Sequence, residues 1–165
     1  MTPVKDAGAH RPTLGAPMNS TLPRPSLLAA ALFDTASQLR AAGLAGSPPR
    51  PLRGKNVALL TPSPDTPAAL TLVRATEALG ARVVMVQLGS LPPADTPAFP
   101  ETLALLGRLY DGLLTDGVPP GIVRELNDRV DRPLLDGALD AARALAPDEA
   151  DIDTLLQALV MQALA

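Results

Sequence analysis

The sequence predicts an α/β fold with three layers, α/β/α, around a parallel sheet, and three observations carry that expectation. Short runs of Val, Leu and Ala alternate with longer segments of helical spacing. Prolines, glycines and a capping threonine punctuate the boundaries between them. Hydrophobic residues make up 47% of the chain but aromatic ones only 2%, so the core must be built from Leu, Val and Ala, which suits helices packed on a small buried sheet. At 165 residues there is room for one domain with a proper core, not for two full lobes.

Taken in order, residues 1–24 carry Pro3, Pro12, Pro17 and Pro23 among Gly, Ser, Thr and Asn. Repeated proline forbids a continuous helix or ladder, so this stretch is expected to be a flexible arm preceding a domain over 25–165. Pro25 and Ser26 open an Ala/Leu-rich helix to about Ala42, with Leu28, Ala31, Leu32 and Leu39 at core spacing and Gly43 as its stop. The apolar run from Asn56 to Leu60 reads as a strand buried on both faces. Thr66 and Pro67 supply an N-cap and a first-turn proline for a helix ending before Gly80. Strands then follow at 82–87, 112–115 and 133–136, and helices at 100–110, 121–130, 138–145 and 151–164. Strands separated by helices make a parallel, Rossmann-like sheet of four strands, with room for a fifth. Ligands of such sheets sit beyond the carboxyl ends of the strands, here Thr61–Thr66, Gln87–Ser90, Thr115–Val118 and Asp136–Ala138.

Composition excludes several chemistries. Cysteine is absent, so there are no disulfides, thiolate metal sites or cysteine nucleophiles, which fits a reducing compartment. The single histidine, His10, lies in the proline-rich arm, so neither a histidine-based metal site nor a Ser-His-Asp triad can be assembled within one chain. No phosphate-binding glycine loop occurs, and no cofactor is expected. A net charge of −3 with scattered basic residues and almost no aromatics argues against nucleic-acid binding. The apolar stretch at 155–165 is too short to span a bilayer, and no secretory signal follows Met1, so the expected location is cytoplasmic, away from membranes.

The informative stretch runs from Leu52-Arg53-Gly54-Lys55 through the first strand to Leu79-Gly80-Ala81. It resembles the segment of aspartate and ornithine carbamoyltransferases that begins Leu-x-Gly-Lys and leads through a Pro-Ser-Thr-Arg-Thr-Arg loop and a helix to Leu-Gly-Gly or Leu-Gly-Ala. Further on, Tyr110-Asp111-Gly112-Leu113-Leu114 looks like the family's Val-Asp-Gly-Ile-Met strand. Arg132-Pro133-Leu134-Leu135-Asp136-Gly137 looks like its Val-Pro-Val-Ile-Asn-Gly, and Gln157-Ala158-Leu159 resembles the end of His-Pro-Cys-Gln running into a helix. The resemblance covers roughly 25–165, although 138–156 fit poorly. It implies the N-terminal, carbamoyl-phosphate-binding half of that family, without the lobe that holds the amino acid.

The same resemblance implies that the inherited chemistry is lost. Holding a doubly charged phosphate takes several converging donors, for which helix N-terminal amides and bidentate arginines are the natural suppliers. Aligned without a gap, the family's loop falls on 64–69, so its serine becomes Asp65, its arginines become Pro67 and Ala69, and its second threonine becomes Ala68. The arginine after the third strand becomes Asp116, and the histidine has no counterpart. Each charge-assisted bond removed was worth roughly 1.5–3 kcal/mol. A like charge at about 4 Å adds a cost of about 1 kcal/mol in water and about 4 at an effective dielectric of 20.

The vestigial positions are therefore Ser63, Asp65, Thr66, Asp116, Asp136 and Gln157, with no catalytic residue and no resident metal expected. The leading functional expectation is a non-catalytic structural or regulatory subunit. One alternative is a binder of an amine, cation or altered anion, in which Asp65, Asp116 and Asp136 converge; the other is a residual carbamoyltransferase completed by a partner chain. Aspartates at these places also serve simply as loop and cap residues, and Arg53, Lys55 and Arg74 read as solvated charges. The stripe Ile152, Leu155, Leu156, Leu159, Val160, Ala163 and Leu164 is a core-facing pattern, part of which would be exposed without a second lobe. The family resemblance implies a homotrimer, or association with an active enzyme of a transcarbamoylase pathway.

Overall fold

A computed structural model describes residues 25–165, with side-chain burial from Leu27 onward. The arm at 1–24 and His10 lie outside the described residues. Twelve segments of regular structure follow one another. Helix α1 (Pro25–Leu44) precedes strand β1 (Asn56–Thr61), helix α2 (Pro67–Ala78) and strand β2 (Arg82–Gln87). After a 3-10 turn at Leu88–Ser90 come α3 (Ala98–Leu109), β3 (Gly112–Thr115), α4 (Pro120–Arg129) and β4 (Leu134–Asp136). Helix α5 (Ala138–Leu145), a 3-10 turn (Glu149–Asp151) and α6 (Ile152–Leu164) complete the fold.

The strands form one four-stranded sheet in the order β2-β1-β3-β4, every pairing parallel. This is the α/β/α architecture expected from the alternation of runs, and the sheet among the described residues has four strands rather than five. Because successive side chains of a strand point to opposite faces, β1 feeds two cores. Val57 and Leu59 join Leu114 beneath α1, α2, α5 and α6, while Ala58 and Leu60 join Leu113 beneath α3 and α4. A strand buried on both sides has no polar face to offer, which is why Val57–Leu60 is a continuous apolar run.

The joints are made by residues suited to them. Thr66 is extended (φ −73°, ψ 147°) and its side chain accepts from the Ala69 N–H, with Pro67 in the first turn of α2. Gly80 (φ 96°) turns the chain from α2 into β2, and a Cβ there would stand 2.9 Å from Arg50 Cβ and 3.2 Å from the Arg53 backbone. Only glycine suits that place, on both conformational and steric grounds.

Several expectations are corrected. Gly43 does not stop α1, which continues to Leu44, and Leu28 is 55% exposed rather than part of the core. β2 lies at the edge of the sheet and is only partly covered: Val84 and Met85 are 46% and 39% exposed. The stripe of α6 is covered rather than bare. Leu155, Leu156, Val160 and Leu164 are buried and Ile152, Leu159 and Ala163 half-buried, because α1, α2 and α5 pack around this helix. Two charged contacts fasten that packing. Arg40 of α1 pairs with Asp151 at the start of α6, and Lys55 donates to the carbonyl of Leu164 at its end. Lys55 is thus a half-buried cap on a helix C-terminus, where a cation is favoured, rather than a free surface charge.

Candidate functional site

The central strands β1 and β3 are neighbours, yet the chain leaves β1 toward β2 on one side and β3 toward β4 on the other. That reversal is the switch point where doubly wound sheets open a crevice for ligands. Three strand tips surround it.

At the tip of β1 the loop closes on itself. Thr61, 1% exposed, donates its hydroxyl to the Ser63 carbonyl (3.2 Å) and accepts from the Ser63 N–H (3.3 Å). Thr66 donates to the same carbonyl (3.2 Å) and accepts from the Ala69 N–H (3.2 Å). Consequently the start of α2, the natural cradle for an anion, has little left to give. Pro67 has no N–H, that of Ala69 goes to the Thr66 side chain, and that of Leu70 goes to the Thr66 carbonyl. Asp65 is exposed and immediately precedes the cap residue Thr66.

At the tip of β3 the buried Thr115 donates its hydroxyl to Asp136 Oδ1 of the β4 tip at 2.5 Å. Asp116 extends the ladder, its N–H bonding to the Leu60 carbonyl at 3.0 Å. Gly117 (φ 65°) brings this loop against the first, for a Cβ there would lie 3.5 Å from Pro62 Cγ. Burial pushes the Asp116 carboxyl above the usual carboxylate range; Asp140 adds to that push, Arg143 opposes it and Asp136 adds to it again.

Asp116 feels the charge of Asp140 of α5 and, more weakly, that of Asp136. Gln157 sits half-buried on α6 and makes no side-chain hydrogen bond among the described residues. Asp140 and Arg143 were not singled out from the sequence; the only signal was their spacing of three on the helix following β4, which places them on one face. The described residues contain no group of three or more His, Cys, Asp or Glu side chains placed to hold a metal ion. What remains at the switch point is an acidic rim with one nearby guanidinium and few free amides.

Comparison with known proteins decides the ancestry. No family model matches the chain. Over 109 residues it is 31% identical to the ornithine carbamoyltransferase of Haemophilus influenzae strain PittGG, a match covering 66% of this chain and 33% of that protein. Its relatives and structural neighbours are ornithine and aspartate carbamoyltransferases, which it matches over part of its length. It spans about a third of the length of the curated relatives it matches. Solved carbamoyltransferases share the fold: the ornithine enzyme from Pyrococcus furiosus superposes with a TM-score of 0.63 at 19% identity, covering 73% of this chain and 41% of that one. The aspartate transcarbamoylase of Trypanosoma cruzi, solved in complex with carbamoyl phosphate and aspartate, gives 0.60 at 18% identity, over 71% and 39%. This carbamoyltransferase-like domain has no helix among its described residues that is long and apolar enough to cross a membrane.

Proposed function

We propose that this carbamoyltransferase-like domain corresponds to the carbamoyl-phosphate half of its relatives, has given up carbamoyl phosphate, and acts as a non-catalytic structural or regulatory subunit. One observation carries the reading: Asp116 stands partly buried at the switch point beside Asp136 and Asp140. A phosphate there meets like charge, each such neighbour at about 4 Å costing between about 1 and 4 kcal/mol depending on exposure. The help of a helix terminus, about 0.3–1 kcal/mol, does not offset that, and α2 has already committed the amides of Ala69 and Leu70 to Thr66.

The test is a pair of measurements on the purified chain. Carbamoyl-phosphate-dependent formation of citrulline or carbamoyl-aspartate is expected to match the blank, and titration calorimetry with phosphate and with carbamoyl phosphate is expected to show no saturable heat. Product formation by the chain, alone or mixed with a carbamoyltransferase inactivated at its own site, would overturn the reading and install the partner-completed enzyme instead. Stabilisation by amines, with none by phosphate, would favour a repurposed amine site at the same acidic rim. A structural role further implies a trimer of this chain or a mixed assembly with an active carbamoyltransferase, in the cytoplasm. Light scattering that finds a monomer at every concentration, with or without such an enzyme, counts against it.

A further inference from the structure

A cleft of roughly 110 Å³ lies between α1 and the α5–α6 connection, and no strand-tip residue lines it. Its floor is apolar: Ala36 and Leu155 are 7% and 1% exposed, and the ring of Phe33 closes one side. Phe33, Ala36, Ser37 and Arg40 present one face of α1, since residues three and four apart on a helix are neighbours. The polar rim consists of Arg40, Ser37, Thr154 and Asp151.

The rim's donors centre on Arg40, since the hydroxyls of Ser37 and Thr154 both donate and accept while a guanidinium only donates. Asp151 is engaged with Arg40, which holds the guanidinium over the mouth. A guanidinium carries five N–H donors, so most remain free. The hydroxyls of Ser37 and Thr154 make no hydrogen bond among the described residues. A rim with surplus donors and its single carboxylate already committed selects a head group that accepts, and an anionic one makes the stronger bonds to arginine. The apolar floor selects an alkyl tail. A water occupies about 30 Å³ of liquid, so the cleft admits a molecule of about three to five carbons and not a bulky one.

We propose that this cleft binds a short-chain aliphatic monocarboxylate, its carboxylate on Arg40, Ser37 and Thr154 and its alkyl chain on Phe33, Ala36 and Leu155. Asp151 is a positioning residue that aims the guanidinium. A dicarboxylate is disfavoured because its second charge would be pressed onto the buried floor. The inference does not depend on how the strand tips are read, because the two places share no residue.

The experiment is a heteronuclear NMR titration of the full chain with sodium butyrate, with sodium chloride at matched ionic strength and butylammonium chloride as controls. Butyrate is expected to shift the amides around Ser37, Arg40, Thr154 and Leu155 saturably, with a Kd on the order of 1 mM for so small a ligand. Arg40→Met is expected to weaken binding at least tenfold. The double variant Ser37→Ala, Thr154→Val, which leaves the ion pair in place, is expected to weaken it several-fold. Shifts that stay linear with concentration, or butylammonium binding as tightly as butyrate, would overturn the proposal. Should Arg40→Met fail to fold, unchanged butyrate affinity in the double hydroxyl variant would overturn it equally.

Discussion

Replacing Thr115 by valine removes one hydroxyl from the junction of two strand tips and little else. The side chain is 1% exposed, and its hydroxyl donates to Asp136 Oδ1 at 2.5 Å. A hydrogen bond to a charged group contributes roughly 1.5–3 kcal/mol. Two features pull the expected loss toward the low end. Asp136 is exposed, so water can replace the lost donor, and the new methyl lies on the same face of β3 as the buried Leu113 without a polar group to desolvate. The expected destabilisation is therefore about 1–1.5 kcal/mol, seen as a lower urea midpoint at unchanged slope. At about 2–4 °C per kcal/mol for a chain of this size, the melting temperature falls by a few degrees. A double-mutant cycle with Asp136→Ala isolates the pair and is expected to give a coupling near 1 kcal/mol. A coupling below about 0.3 kcal/mol, the ordinary additivity error, would refute the idea that Thr115 clamps Asp136 at the tip.

Three further perturbations probe the same region. Asp116→Asn removes a carboxylate held above its usual range chiefly by burial, then by Asp140 and Asp136 against Arg143, so its charge costs stability at neutral pH. That cost fades as pH falls through the raised folded value and is gone below the ordinary value of about 4. The variant is thus expected to melt higher than the parent at pH 7 and equal to it at pH 3, and equality at both would contradict the burial. Thr66→Ala strips the cap from α2 and opens the loop above Ser63, with an expected loss of about 1 kcal/mol in chemical denaturation; no loss would mean the cap contributes nothing. Gly80→Ala places a Cβ 2.9 Å from Arg50 Cβ at φ 96°, with an expected cost of about 1–3 kcal/mol. A neutral Gly80→Ala would show that the Arg50–Arg53 turn yields easily.

The elements could be read in the sequence because each has a local cause. Val57–Leu60 has no polar face, Thr66–Pro67 is a cap followed by a proline, and Gly80 marks a turn that no other residue suits. What could not be read depends on which elements become neighbours. Periodicity does not say which strand lies at an edge, so the exposure of Val84 and Met85 was invisible. Nor does it say that α1 would cover α6, so an exposed stripe was expected there. At the site, Asp116 and Asp136 were found because each follows a strand in the correct register. Asp65 could be offered beside them only as an alternative to a plain cap-side aspartate, because the bonds among Thr61, Ser63 and Thr66 that shape the β1 loop leave no mark in the sequence pattern. Asp140 and Arg143 were missed because their relation to Asp116 exists only once β3 and β4 pair.

The two fastenings of α6 also bear on how the chain reaches its fold. Arg40 and Asp151 are 111 positions apart, and Lys55 and Leu164 are 109 apart. Closing loops of that length costs entropy that grows only with the logarithm of length, about 0.6 kcal/mol per doubling, but it must be met before the contacts reward it. Without α6, the apolar faces that α1 and β1 turn toward that core lack part of their cover. Val57, Leu59 and Leu114 share their core with Leu155, Leu156, Val160 and Leu164, so the larger of the two cores is incomplete without α6. A fragment that stops before Ile152 holds all four strands and lacks five of the residues buried in or around that core, Leu155, Leu156, Ala158, Val160 and Leu164.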